Sequence, residues 1–315
     1  DTSLAIHVPF GIAAIASMKS INWGFNTHSE GNLNDRKMFW PRGKTLGGSS
    51  SINAMCYIRG AAQNYDDWAA SGLTGWAWDD VLPYFKKSED NTRGVSDFHA
   101  VGGYQSVSDL KHVNPLSYNY IASSVSNGLA ESVDFNAQDQ EGVGIYQVTQ
   151  RNGSRCSTAE GFLSDDIKAR PNLHIMTNVE VKRVTLDGKT ATGIEVFTNN
   201  TTQFLFARKR VILSAGAIGS PQILMQSGIG NRDHLQSLGI EVKTHLPGVG
   251  QNLQDHLDGT ILFKTQTQRS YGLSVTALLK NALEPLNYWL HKDGMFTSNI
   301  AEGGAFLKSA PEMTL

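Results

Sequence analysis

Two apolar spacings alternate along the chain. Apolar residues three and four apart predict helices over residues 64–70, 79–89, 114–128, 157–169, 233–238 and 275–290. Asp79 suits the N-cap of the second, ahead of Val81, Leu82, Tyr84 and Phe85, with Pro83 tolerated in its first turns. Leu116, Tyr120, Val125 and Leu129 form the apolar face of the third, and Phe162, Leu163 and Ile167 that of the fourth. Strand-like runs predict 101–108, 143–148, 173–177, 180–186, 192–198 and 203–207, with Asp187-Gly188 as a hairpin turn. Residues 210–215 read as a buried strand. The helix after it would be capped by Ser220, carry Pro221 at its first position and stop at Ser227-Gly228. The apolar stretch 8–18 holds Pro9 and Gly11, is too short to span a bilayer, and reads as a buried or lid segment. Trp68, Trp76 and Trp78 read as packing aromatics.

Two glycine-rich segments interrupt this pattern. Residues 43–53 (GKTLGGSSSIN) follow Trp40-Pro41-Arg42 and concentrate small residues and hydroxyls. Gly47 and Gly48 let backbone approach a bulky ligand. Ser49, Ser50 and Ser51 can donate to phosphate oxygens beside backbone N–H groups, and Asn53 adds an amide. Residues 216–230 (GAIGSPQILMQSGIG) follow the 210–215 run, where small residues could lie against a cofactor. Strand-glycine-helix units are common, and a glycine-serine stretch is often only a surface loop.

Together the two segments resemble the motifs of the glucose-methanol-choline oxidoreductase family, whose members use FAD. The first runs on through Tyr57, Gly60 and Asp66 as in that family. Residues 64–68 (NYDDW), 75–85 (GWAWDDVLPYF) and 248–256 (GVGQNLQDH) agree with it. Two long, correctly ordered motifs are a stronger signal than a lone Gly-x-Gly-x-x-Gly. The likeness covers essentially the whole chain and is nearest to bacterial choline dehydrogenase-like and alcohol dehydrogenase-like members.

The resemblance implies a mixed α/β fold, a Rossmann-like FAD-binding domain interleaved with a substrate domain on an antiparallel sheet. Residues 1–80 and 156–260 would belong to the FAD-binding domain, and 81–155 and 261–315 to the substrate domain. Neither the family's opening β-α-β unit nor its C-terminal catalytic His has a counterpart between Asp1 and Leu315. The chain therefore reads as an internal fragment, with its base expected beyond Leu315 and little turnover of its own. Gly47, Gly48 and Ser49 would lie along the pyrophosphate and ribityl chain, and Asn53, Ala54 and Met55 would reach the isoalloxazine, with 8–18 near it. Val181, Ser214, Ala215 and Gly216 would serve the adenosine half, although Val181 also suits an ordinary strand. Relatives that attach FAD covalently place a His before this Asn. Ile52 stands there, so non-covalent FAD is expected. Asp255 and His256 match a stretch close to the flavin, where His256 reads as structural and not as the base. Glu302 falls where choline-oxidising relatives hold the substrate ammonium, and an internally paired carboxylate fits the position nearly as well.

The implied reaction is oxidation of a primary alcohol, choline-like or aliphatic, to an aldehyde. Electrons would pass to a quinone or another acceptor. A hydroxynitrile-lyase-type flavoprotein of the same fold and an inactive folded remnant are the alternatives. Composition adds limits. A net charge of -2 from 27 basic and 29 acidic side chains, with no long basic run, gives no reason to expect nucleic acid. Cys56 and Cys156 form neither a disulfide framework nor a metal pattern, and the nine histidines are scattered. A cytoplasmic setting is expected, with peripheral attachment to the inner membrane allowed. Oligomeric state is not legible.

Overall fold

The computed structural model describes residues 3–15, 17–256, 258–267, 269–272, 275–310 and 313. Ala16 of the apolar stretch, both ends of the chain at Asp1-Thr2 and Thr314-Leu315, and Pro311-Glu312 lie outside the described residues. The chain divides into two compact units, Asp1–Arg170 with Thr265–Leu315, and Pro171–Lys264.

The first unit is built from short paired strands and helices joined by long irregular segments. Phe25–Asn26 pairs antiparallel with Phe39–Trp40, and Glu89–Asn91 pairs parallel with Gln105–Val107. Gly142–Ile145 pairs antiparallel with Gly303–Phe306. Gln150–Arg151 and Ser154–Arg155 form a hairpin around Asn152 and Gly153, both at positive φ as a two-residue Asn-Gly turn requires. Two apolar clusters hold this unit. Ile6, Ile15, Ile21 and Ile52 form one, with Ile12 and Met18 against it, so the 8–18 stretch packs on the first glycine-rich motif. Met55, Leu110 and Val148 form the other, with Val113 and Ile145.

Helix positions follow the predicted spacing, with differences that have local causes. The 64–70 helix begins two residues early, at Ala62–Ala70. The next is Trp78–Ser88, so Asp79 is not its cap. Asp80 reaches back from the third position to accept from the Ala77 N–H at 3.2 Å. Asn114 caps Pro115–Ser126, its Oδ1 accepting from the Leu116 N–H at 3.0 Å. The buried side chain of that helix is Ile121, whereas Tyr120 and Val125 are exposed. The 157–169 helix is two helices, Thr158–Phe162 and Asp165–Lys168, because Ser164-Asp165-Asp166 starts a new N-terminus. Of its predicted buried residues only Ile167 is buried, and Phe162 is 38 % exposed. The 275–290 helix also divides, into Val275–Lys280 and Glu284–His291, at Pro285, which cannot donate to a preceding turn. Trp68, Trp76 and Trp78 pack with Tyr65 and Phe85, yet Trp68 and Trp76 remain about half exposed at 45 % and 50 %.

The second unit is an antiparallel meander of Glu180–Asp187, Thr190–Thr198 and Thr201–Phe206, with the hairpin turn at Gly188 as expected. Helix Gly216–Gln226 packs on the first of these strands. The Ser227 hydroxyl ties the two, accepting from the Val184 N–H at 2.8 Å and donating to the Ile223 carbonyl. A two-residue parallel pair, Ile229–Gly230 with Thr244–His245, and helix Arg232–Ser237 complete it. Residues 173–177 and 210–215 are not strands. No described strand pairs with either, and a strand without a neighbour has no ladder, so Ile175 and Ile212 stand 40 % and 81 % exposed. Helix Gly216–Gln226 begins before Ser220, which instead accepts from the Ala215 N–H at 2.9 Å, leaving Pro221 inside the helix.

Candidate cofactor site

The motif at 43–53 folds into a tight loop and a short 3-10 turn, Gly48–Ser51, entered through Gly47 at φ 84° and Gly48 at φ 54°. A Cβ on Gly43 would land on the backbone of Gly48 and Ser49. One on Gly47 would meet Ser51 Oγ and the Ser157–Ala159 turn, whereas Gly48 has open space around it. The serine hydroxyls are largely committed within the protein. Ser51 donates to the Leu46 carbonyl at 2.8 Å, and Ser50 donates to the Gly47 carbonyl at 2.7 Å and accepts from the Thr158 N–H at 2.9 Å. Ser49 Oγ accepts from the Gly43 N–H at 3.1 Å. Gly43→Ala is expected to destabilise by about 1–3 kcal/mol through overpacking. Gly48→Ala should cost only about 1 kcal/mol, from its left-handed backbone alone. Urea unfolding of both variants checks the ranking.

The turn that follows is held at both ends. Ile52, 7 % exposed, is anchored in the first apolar cluster and Met55, 0 % exposed, in the second. Asn53 and Ala54 lie between the anchors and are correspondingly more open. Met55 has φ 60°, a costly conformation for an unbranched apolar side chain. Asn53 stabilises it by accepting the Met55 N–H at Oδ1, 3.0 Å. Asn299 Nδ2 holds the Ala54 carbonyl at 2.6 Å, beside Ile300 at φ 67°. Two buried polar atoms around this turn have no described partner, Arg155 Nη2 and Asn299 Oδ1. Cys56, next along the chain, is a free thiol pushed up to about 11 by burial.

The other predicted cofactor residues, Val181, Ala215 and Gly216, belong to the second unit. Val181 sits opposite Val196 at a bulge in the meander, and Gly216 has φ 78° with open space about it. Asp255 and His256 are exposed, with Asp255 Oδ1 accepting only the neighbouring His256 N–H among the described residues.

Glu302 is 2 % exposed and accepts four hydrogen bonds. Oε2 takes the Asn114 N–H and Ser117 Oγ, each at 2.7 Å. Oε1 takes the Tyr271 hydroxyl at 2.5 Å and Ser298 Oγ at 2.6 Å. Burial, then this bond to Glu302, raises the Tyr271 phenol far above its ordinary value.

Two features had no sequence signal. Arg155, on the second strand of the Gln150–Arg155 hairpin, is 2 % exposed. A buried ionic cluster joins Arg59 to Glu89, Glu89 Oε1 to His99 Nδ1 at 2.6 Å, and His99 Nε2 to Asp134 Oδ2 at 2.8 Å. Its members lie far apart in sequence, so no spacing could reveal it. Among the described residues no group of acidic, His and Cys side chains could hold a metal ion, and no helix is long and apolar enough to cross a membrane.

The sequence profile of the GMC oxidoreductase family matches residues 15–258. The chain belongs to this family. It is 42 % identical over 315 residues to an alcohol dehydrogenase [acceptor] of Pseudomonas putida, covering 99 % of the chain and 57 % of that protein. An oxygen-dependent choline dehydrogenase of Pectobacterium atrosepticum is 43 % identical over 224 residues, 70 % of the chain and 40 % of the relative. Among solved structures, an FAD-dependent oxidoreductase from Chaetomium thermophilum superposes with a TM-score of 0.83 at 30 % identity, over 96 % of this chain and 55 % of its own. The chain thus spans about half the length of the relatives it matches. The mixed α/β architecture with small antiparallel sheets agrees with the expected fold class.

Proposed function

We propose that this chain binds FAD non-covalently and serves the oxidation of a primary alcohol to an aldehyde, with a quinone or another acceptor taking the electrons. The observation that carries this reading is the Ser51–Met55 turn of a GMC oxidoreductase, pinned in two cores so that Asn53 and Ala54 are presented outward. The residues fit the cofactor. Gly48 leaves an open flank for close approach, and unpartnered buried polar atoms adjoin the turn. Gly47, Gly48 and Ser49 would hold the pyrophosphate and ribityl chain, and Asn53, Ala54 and Met55 the ring. FAD, when bound, accepts the hydride removed from the carbinol carbon. The N–H groups of Ile52, Asn53 and Met55 are bonded within the loop, which fixes the backbone of the turn before a ligand arrives. Ile52 offers only a buried hydrocarbon where covalent attachment needs a nucleophile.

The filled hydrogen-bond shell of Glu302 supports an aliphatic alcohol over a cationic one, since each carboxylate oxygen is already held by two protein donors. None of the described residues is assigned as the base, so this chain by itself is expected to show little turnover. The test is the visible absorbance spectrum of the purified chain, repeated after acid precipitation. Flavin bands that move to the supernatant are expected. A colourless protein that stays colourless after incubation with FAD overturns cofactor binding by this chain, and colour retained in the pellet overturns the non-covalent assignment.

A further inference from the structure

Arg155 is among the largest fully buried side chains described, and no carboxylate lies within ion-pair distance of it among the described residues. Taking a guanidinium out of water without a counter-ion is costly, because the lost hydration is not repaid by an opposite charge. Its partners are all neutral. Nε donates to the Ile6 carbonyl at 2.8 Å, and Nη1 donates to the Ser50 carbonyl at 3.0 Å and to Asn53 Oδ1 at 2.9 Å. Nη2 donates to no described group. Burial also lowers the guanidinium pKa, to about 10, which still leaves it charged at neutral pH.

The contact with Asn53 has a directional consequence. Asn53 Oδ1 receives Arg155 Nη1 from one side and the Met55 N–H from within the turn. A carboxamide is planar, so an oxygen fixed by two donors fixes the opposite Nδ2 as well. Asn53 is exposed, and its Nδ2 donates to no described group. We propose that Arg155 is a positioning residue for the cofactor turn: it locks the Asn53 carboxamide so that Nδ2 faces outward as a preset donor to the acceptor edge of the bound flavin ring. This rests on the reading that FAD lies against residues 47–55. An amide that could rotate would present oxygen half the time and repel ring carbonyls. Arg155 removes that choice before the ligand arrives, and the entropy of ordering is settled on folding.

The test is a double-mutant cycle read in FAD affinity, by flavin fluorescence quenching on titration of the chain, with urea unfolding alongside. Asn53→Asp keeps both bonds accepted at Oδ1 and gains an ion pair to Arg155, so the fold is retained while the Nδ2 donor is lost. Its Kd for FAD is expected to rise at least tenfold with the urea midpoint unchanged or higher. Arg155→Lys keeps the charge but not the planar geometry and should raise Kd about fivefold. Because Arg155 acts through Asn53, the double variant should bind no more than twofold weaker than Asn53→Asp alone. Equal FAD affinity in Asn53→Asp and the unmodified chain overturns the inference, as do single losses that multiply in the double variant. If Arg155→Lys fails to fold, Arg155→Gln, which keeps a planar donor without the charge, takes its place in the cycle. An unmodified chain that leaves FAD fluorescence unchanged overturns the cofactor reading and this inference with it, whereas tight binding by both it and Asn53→Asp overturns this inference alone.

Discussion

Glu302→Gln is expected to destabilise the protein by about 3 kcal/mol, in the range for breaking a buried charge-assisted cluster. All four donors converge on an almost fully enclosed carboxylate. Three of them are hydroxyls, of Ser117, Ser298 and Tyr271, and can rotate. The fourth is the Asn114 N–H, which is fixed at the N-cap of helix Pro115–Ser126. A glutamine amide has one accepting oxygen and two hydrogens of its own. With its oxygen toward the Asn114 N–H, its NH2 faces the Tyr271 and Ser298 hydroxyls, which must turn to accept and so give up the charge-assisted bonds they donate to the carboxylate. The damage should spread, because Glu302 immediately precedes strand Gly303–Phe306 and so couples the helix start to the pair with Gly142–Ile145. Urea unfolding of the purified variant measures it. A change below about 0.5 kcal/mol, the size of an ordinary surface substitution, would mean that the carboxylate is not a structural hub and is free to serve a cationic substrate.

The glycine-rich turn at 43–55 was legible in the sequence as unusual backbone because its signals are local. Gly47 and Gly48 announce left-handed backbone, and both adopt it. Caps were less legible: Asp79 and Ser220, read as caps, are not, whereas Asn114, Ser157 and Asn231 cap helices with bonds of 3.0 to 3.2 Å to the second or third residue on. The meander at 180–206 was legible for the same reason, since alternation and an Asp-Gly turn are short-range features. What failed was judgement of neighbours. Residues 210–215 and 173–177 have strand composition but no strand beside them among the described residues. Burial on helix faces was misjudged at Tyr120 and Phe162, where tertiary packing chooses Ile121 and Gly161 instead.

The site divides along the same line. Motif residues could be named from the sequence, but what supports them could not. Arg155 is separated from Asn53 by about a hundred positions, Asn299 from Ala54 by more, and each meets its partner only through the fold. The serine hydroxyls, read from composition as phosphate donors, are drawn mostly into the loop's own hydrogen bonds. That follows from the glycines beside them: a loop with so little side-chain packing is held by its own polar atoms.

Stability is expected to fall as pH rises through about 9, and His99 is the cause. Hydrogen bonds to Asp134 and then to Glu89 raise its imidazole from 6.5 to about 9, against the opposing effect of burial. A pKa raised on folding adds stability that is fully present below the unfolded value of 6.5 and is lost as pH climbs through the folded value. The size is on the order of 2–3 kcal/mol, from about 1.4 kcal/mol per unit discounted for screening. Burial would raise Asp134, but its hydrogen bonds to His99 and the Asn136 N–H outweigh that and hold it below the ordinary carboxylate value. The same pair therefore loses stability on the acid side only as pH drops through the carboxylate range. His99→Gln should flatten the alkaline slope, since an amide bridges without titrating. Urea midpoints at pH 6, 7.5 and 9 for both proteins test this, and parallel curves would assign the slope elsewhere. The loss should also reach the cofactor turn. Glu89 binds Arg59 and accepts the Tyr57 hydroxyl at 3.4 Å, and the Arg59 N–H donates to Asn136 at 2.7 Å. Residues 57–59 follow Met55 in the chain, so loosening the ionic cluster slackens the segment that leads out of the turn holding Asn53 and Ala54. FAD affinity of the unmodified chain should accordingly weaken between pH 7.5 and 9.5, by roughly the tenfold that about 1.4 kcal/mol represents.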